Sequence, residues 1–347
     1  MKVLADIKRQ PKELIKSLEY QLSEGQGAFA KAAALLESPG RLLIVGIGAS
    51  HHAGLALKYI FEHHQINCQV IDASELLYFY SLEKGDTLLL LSRSGKSIEI
   101  VKSAQKANTT GANIISITND LDSPLAQLSD IALPIHADFD HNISITMYTG
   151  IILVGALLAT QLRDTTLFKN TAATFKKVLQ TIDLQLAQWQ KEITNHTWIN
   201  TSAYTQFLAR GSSFGSAKGA ELLWQEAAKS VAGAMPTGSF IHGPQEILKK
   251  PLRFCIWLDH EHGRAYDLQL INDLLQLKQE VMVIGHQIPQ INGVLSIDLP
   301  YIAAPFQAII DVIPVQLAAV LYADKIGEDA SSFLYCNYIV QAEGGIL

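Results

Sequence analysis

The chain has 347 residues, 48% hydrophobic and 17% charged, with a formal net charge of −6. That length suits two ordinary domains or one large α/β unit, and the composition excludes wholesale disorder. No basic block or aromatic-interleaved Lys/Arg patch occurs, which argues against nucleic acid as the main partner.

The first twenty residues are charged throughout and lack the apolar core of a signal peptide. Residues 1–38 read as helix, with Leu14, Leu18 and Leu22 at helical spacing and Pro11 where a second helix could begin. After Pro39-Gly40 come a short apolar strand (42–45), a turn with Gly46 and Gly48, and a helix. This turn does not complete GxGxxG spacing, and no acidic residue is placed to hold a ribose, so a dinucleotide is not expected. Ser50, opening the helix, suits either a phosphate or sugar contact or an N-cap.

A strand at 68–73 leads to residues 88–97, LLLLSRSGKS. Four leucines read as a strand buried on both faces, and a periodic helical segment follows at 98–107. A strand ending in Ser92, Arg93, Ser94, Gly95, Lys96 and Ser97 just before a helix leaves backbone N–H groups free at the positive end of a helix dipole. A phosphate is a natural occupant; a well-capped turn with nothing bound uses the same residues. Strands at 113–118 and 131–135 follow. The apolar run 143–162 is interrupted by Ser144, Thr146, Tyr148 and Thr149, and reads as a buried central helix rather than a membrane span.

Residues 165–199 contain neither glycine nor proline and read as a helical connector. Then the pattern restarts. Residues 205–228 again run strand, glycine-serine turn, helix, and a shift of 163 positions lays Gly211, Ser212 and Ser213 on Gly48, Ala49 and Ser50. Further strands at 253–259, 281–285 and 294–299 and an apolar helix at 306–323 complete a second module. The expected fold class is therefore α/β: two similar three-layer α/β/α domains, each with a central, mainly parallel sheet. The expected boundaries are N-terminal helices plus first domain at 1–164, connector at 165–199, and second domain with C-terminal tail at 200–347.

Three scattered cysteines, Cys68, Cys255 and Cys336, lie in apolar runs without CxxC spacing and read as buried thiols in a reducing compartment, so a cytoplasmic protein is expected. Eleven histidines form neither HExxH nor a spaced ligand cluster, and no metal or other cofactor is expected. Glu226, late on its helix beside Leu222, Leu223 and Ala227, suits a proton-carrying carboxylate or a partner for Lys229. His242, in the loop 238–244, suits a group that opens a cyclic sugar or a plain turn residue.

The duplicated module, with ASHHAG at 49–54, ASE at 73–75 and SRSGKS at 92–97, resembles the sugar isomerase (SIS) family. Across residues 40–347 it is similar to the isomerase half of glucosamine-6-phosphate synthase and its stand-alone relatives, whose domains are flavodoxin-like. The resemblance implies that Ser92, Arg93, Ser94, Gly95 and Ser97, with Gly48, Ala49 and Ser50, bind a sugar phosphate. It implies that Glu226 moves a proton between C1 and C2. It further implies that His242, sixteen residues on and followed by Gly243-Pro244, opens the ring from a neighbouring subunit of a homodimer. Three family lysines are replaced, by Leu223, Met147 and Asn337, the last near the sugar. The chain begins without the family's N-terminal cysteine or glutaminase domain, so no glutaminase activity is expected. The implied activity is a phosphosugar isomerase, or a related deaminase or deglycase acting on a phosphorylated amino sugar; a sugar-phosphate sensor without catalysis is the alternative.

Overall fold

The computed structural model describes residues 2–201, 204–342 and 344. The chain forms two compact units, one of residues 10–177 and 333–347, the other of residues 1–9 and 178–332. The divisions fall at 9/10, 177/178 and 332/333, against expected boundaries at 164/165 and 199/200, and the tail expected with the second domain belongs to the first unit. Hydrogen bonds explain the tail: Ile98 N–H donates to Val340 O at 3.2 Å, and Arg93 donates to Tyr338 O at 3.1 Å. Residues 345–347 lie outside the described residues.

The N-terminal helix α1 (Lys2–Leu22) runs unbroken through Pro11, so the second start expected there does not occur. Val3, Ile7, Gln10, Leu14, Leu18 and Gln21 are all fully buried, and this single stripe continues across the proline. Buried polar groups on this face make specific bonds: Thr149 Oγ1 donates to Gln10, and Gln21 and Ser17 donate to the carbonyls of Pro134 and Ile135. Next come α2 (Gln26–Leu36), β1 (Leu42–Gly46), α3 (Ala49–His63), β2 (Gln69–Asp72), α4 (Ala73–Phe79), β3 (Thr87–Leu91) and α5 (Ile98–Thr110). They are followed by β4 (Asn113–Thr118), α6 (Pro124–Leu128), β5 (Ile131–Pro134), α7 (Thr146–Arg163) and α8 (Thr165–Asn195), which carries the expected connector.

The five strands of the first unit are parallel, in the order β2-β1-β3-β4-β5. Leu43, Val45, Leu88, Leu90 and Ile114 pack against α4, α5 and α6 on one face of the sheet. On the other face α3 lies against Ile44 and Leu91, and its Leu57 fits against Gly155 of α7 so closely that a Cβ there would come within 2.5 Å.

The second unit contains β6 (Thr205–Ala209), α9 (Ser213–Ala228), β7 (Ala232–Pro236), α10 (Thr237–Phe240), β8 (Arg253–Leu258), α11 (Arg264–Gln276), β9 (Glu280–Gly285), β10 (Val294–Asp298) and α12 (Ile313–Ile326). Its strands are also parallel, in the order β10-β9-β8-β6-β7, so the two sheets share one topology. Leu208, Phe254, Ile256, Val281 and Val283 meet Phe240, Ile271 and Leu274 on one face. Opposite, the buried Arg253 guanidinium sits 4.1 Å from the Tyr322 ring and 4.8 Å from that of Trp224. The expected apolar helix 306–323 is divided into a 3-10 turn (Ala304–Ile309) and α12, with Pro314 in the first turn of the helix.

By length and composition alone, Thr146–Arg163 and Ala304–Ile326 could cross a membrane, but 83% and 89% of these runs are buried inside the protein. They are the core helices of their units.

Candidate functional site

In a parallel sheet of this order the chain leaves β1 and β3 in opposite directions, which opens a crevice at their carboxyl ends. The residues expected to bind a phosphate lie at the ends of both strands and just beyond them. After β1, Gly46 has no room for a side chain, since a Cβ would lie 2.6 Å from the Ser50 carbonyl carbon and the His51 nitrogen. Gly48 follows with φ +54 as the N-cap of α3, whose first two residues are Ala49 and Ser50.

After β3, the loop 92–97 is pinned from several sides. The Arg93 carbonyl accepts from the Asn119 N–H at 3.0 Å, and the Gly95 carbonyl accepts from the Leu125 N–H at 3.1 Å. Gly95 adopts φ +63, and a Cβ there would meet Ser123 Oγ at 2.0 Å, so only glycine fits. The buried Ser92 and Ser94 hydroxyls accept from the N–H groups of Gly95 and Lys96 at 3.1 and 3.3 Å. Acting as acceptors inside the loop, they keep their O–H protons to donate. Ser97 is the N-cap of α5 without bonding its side chain there. The Val101 N–H to Ser97 O bond (3.0 Å) opens the helical ladder, so the N–H groups of Glu99 and Ile100 precede it.

The two cations of the loop are engaged by residues outside it. Lys96 pairs with Asp120 at 2.8 Å, and its hydrogen bond holds the Asp120 carboxyl below the usual range. Arg93 donates to Asn142 O at 2.9 Å and to Tyr338 O at 3.1 Å, and lies 4.3 Å from the Tyr338 ring. Asn337 is exposed and adjoins that clasp in sequence. The arrangement leaves neutral donors at a helix N-terminus, the place where the fold's dipole favours negative charge.

In the second unit Glu226 is half-buried near the end of α9. Lys229 Nζ donates to the backbone carbonyls of Glu226, Asp329 and Ser332 at 2.8, 3.0 and 2.7 Å. Leu223 is buried one turn earlier, as Met147 is on α7. His242 is exposed and lines an open cavity of about 660 Å³ with Arg210, Gly211, Gly238 and Ser239 between two prolines. Glu226 is not among the lining residues. It precedes the start of β7, whereas His242 follows its end; five extended residues span about 17 Å. In chain order the two residues thus flank opposite ends of β7.

The repeats also diverge at a serine. Ser213, the counterpart of Ser50, donates to the fully buried Asp311 carboxylate at 2.6 Å, and Ser216 donates to its other oxygen. Burial pushes the Asp311 carboxyl up to about 6. Among the described residues no three His, Cys, Asp or Glu side chains are grouped to hold a metal ion. Sequence reasoning missed Arg210 and Ser239; Arg210 could have been found by aligning the repeats, because the first has Ile47 there.

Residues 35–160 match the SIS domain. A glutamine–fructose-6-phosphate aminotransferase [isomerizing] from Sulfolobus acidocaldarius is 27% identical over 279 residues, covering 80% of this chain and 45% of the relative. The chain thus spans about half the length of the curated relatives it matches. The C-terminal domain of glucosamine-fructose-6-phosphate aminotransferase from Francisella tularensis superposes with a TM-score of 0.83 at 20% identity, covering 95% of this chain and 98% of that one. Glucosamine-6-phosphate deaminase from Thermotoga maritima gives 0.79 at 20% identity, covering 98% and 99%. At that identity the two structures show a shared fold.

Proposed function

We propose that this chain, a member of the SIS family through residues 35–160, is a phosphosugar isomerase-type enzyme acting on a phosphorylated amino sugar in the cytoplasm. The observation that carries this reading is the cradle at the β1/β3 crevice, where the hydroxyls of Ser92 and Ser94 keep protons to donate while Arg93 and Lys96 are held elsewhere. Ser50 and Ser97 complete its set of hydroxyls. Neutral donors with a helix dipole suit a phosphate group that must both enter and leave.

In the proposed mechanism His242 protonates the ring oxygen as the anomeric hydroxyl loses its proton, opening the ring. The Glu226 carboxylate then removes the proton from C2 and returns it to C1, converting aldehyde and amine to alcohol and imine. Water adds to that imine and ammonia leaves, giving a ketose phosphate. For an amine carried on C1, the same proton transfer in reverse gives an imine at C1, whose hydrolysis frees the amine. Glutamine hydrolysis is no part of the proposal. The separation of Glu226 and His242 across β7 supports a homodimer in which His242 reaches the partner's substrate. Of the thiols expected to be buried, Cys255 is, Cys68 is half-buried, and Cys336 is exposed because it lies in the C-terminal tail; all three are free, which suits a reducing compartment.

The test is product analysis by NMR with glucosamine-6-phosphate, fructose-6-phosphate and a fructosamine-6-phosphate. New species are expected, and Glu226→Gln is expected to lower kcat by about 10²–10⁴ while phosphate binding persists. Binding without any new species would move the assignment to a sugar-phosphate sensor.

A further inference from the structure

We infer that the cavity around Arg210 in the second unit is an oxyanion-binding site, with Arg210 as its anchor and Ser239 and His242 as additional donors. Arg210 is the first residue after β6, beside the crevice this sheet order opens between β6 and β8. Its Nε donates to Asp267 Oδ1 at 2.8 Å, and Asp267 is wholly buried on α11. Gly263 lies so close that a Cβ would reach within 2.7 Å of Arg210 Cδ, which fixes the stem. The guanidinium is thus held from behind through one nitrogen. Neither Nη group has a hydrogen-bond partner among the described residues, and the side chain is 30% exposed.

The other lining groups point to the same chemistry. Ser239 Oγ and the His242 ring nitrogens also make no hydrogen bond among the described residues. Thr237, next in sequence to the lining Pro236 and Gly238, has a buried hydroxyl with no hydrogen-bond partner. The cavity therefore collects donors in excess of acceptors, with the Asp267 carboxylate turned toward Arg210 Nε and the nearby Asp259 carboxylate accepting from the N–H groups of Glu261, His262 and Gly263. Two Nη groups in a fixed fork match the oxygens of a phosphate, carboxylate or enolate. A cation or an apolar ligand would leave them unpaired.

Two sources could supply the oxyanion: a second phosphorylated molecule acting as an effector, or the substrate whose ring His242 opens. Only the latter rests on the proposed function. The probe is inorganic phosphate, titrated calorimetrically into the full chain and into Arg210→Gln, Arg210→Lys, Ser239→Ala and Ser94→Ala. Two classes of site are expected, with Arg210→Gln removing one and Ser94→Ala weakening the other. Arg210→Lys and Ser239→Ala leave Asp267 a partner, so they test the site even if Arg210→Gln fails to fold. Each is expected to weaken the Arg210 class by about tenfold. A titration curve left unchanged by both would overturn the proposal.

Turnover separates the sources. A fall in kcat with KM retained in Arg210→Lys assigns the oxyanion to the reacting sugar. Loss of rate dependence on added phosphate assigns it to an effector. If no substrate is turned over, the proposed function fails while the phosphate titration still decides the site.

Discussion

Asp311 is a carboxylate that the fold buries completely and satisfies with two serine hydroxyls. Burial raises its pKa from an ordinary 3.8 to about 6, with Ser213 and Ser216 opposing the rise. Between those values the folded protein holds a proton that the unfolded chain has released. Stability therefore falls as pH rises across this window, by about 3 kcal/mol in all, and the loss is complete above about pH 6. Asp311→Asn cannot titrate, so urea unfolding from pH 4 to 7 should show a shallower pH slope in this variant than in the parent. Equal slopes would remove Asp311 as the cause. Ser213, which opens α9, was legible as a repeat of the first glycine-serine turn. Its burial against a carboxylate 98 positions away was not, because no local pattern reports a contact at that separation.

At the scale of elements, α7 depends on one side chain upstream of it. The Asp140 carboxylate accepts from the N–H groups of Ile145, Thr146 and Met147 at 2.8, 3.0 and 2.9 Å, in a site only 2% exposed. Asp140→Ala would leave buried donors unmatched and is expected to cost about 2–4 kcal/mol. Asp140→Asn, which keeps one acceptor oxygen, should lose less. Denaturant midpoints of the two variants give the comparison, and equal losses would contradict the capping role. The apolar helix itself was readable from composition; its distant cap was not. The reverse holds at Pro11, where a strong local signal for a helix start is overridden by a stripe of buried side chains running on both sides of it. Strand β7, sequence AGAMP, escaped notice because it sits at a sheet edge and lacks both alternation and β-branched residues.

Across the whole molecule, the repeated strand-turn-helix order made the two parallel sheets and the loop at 92–97 between β3 and α5 legible. The exchange of chain ends was not legible, because it depends on where the tail hydrogen-bonds. Residues 333–347 belong with 10–177, and Arg93 holds them by stacking on Tyr338, whose hydroxyl donates to Asp140 O at 3.1 Å. Deleting 333–347 should therefore weaken sugar-phosphate binding at the first unit's cradle, about tenfold from the lost Arg93 and Ile98 contacts that shape it. Calorimetry with glucosamine-6-phosphate on the truncated chain measures this, and unaltered affinity would show that the tail is dispensable to the loop.

That exchange also sets an order of events on the ribosome. The strands of the first unit are made early, but the segment that closes over Arg93 follows the whole of the second unit in the chain. A nascent chain can form the sheet and the loop, yet it lacks the Tyr338 clasp until residue 338 has been added. A product terminated before that residue would carry the loop with Arg93 lacking its Tyr338 contacts.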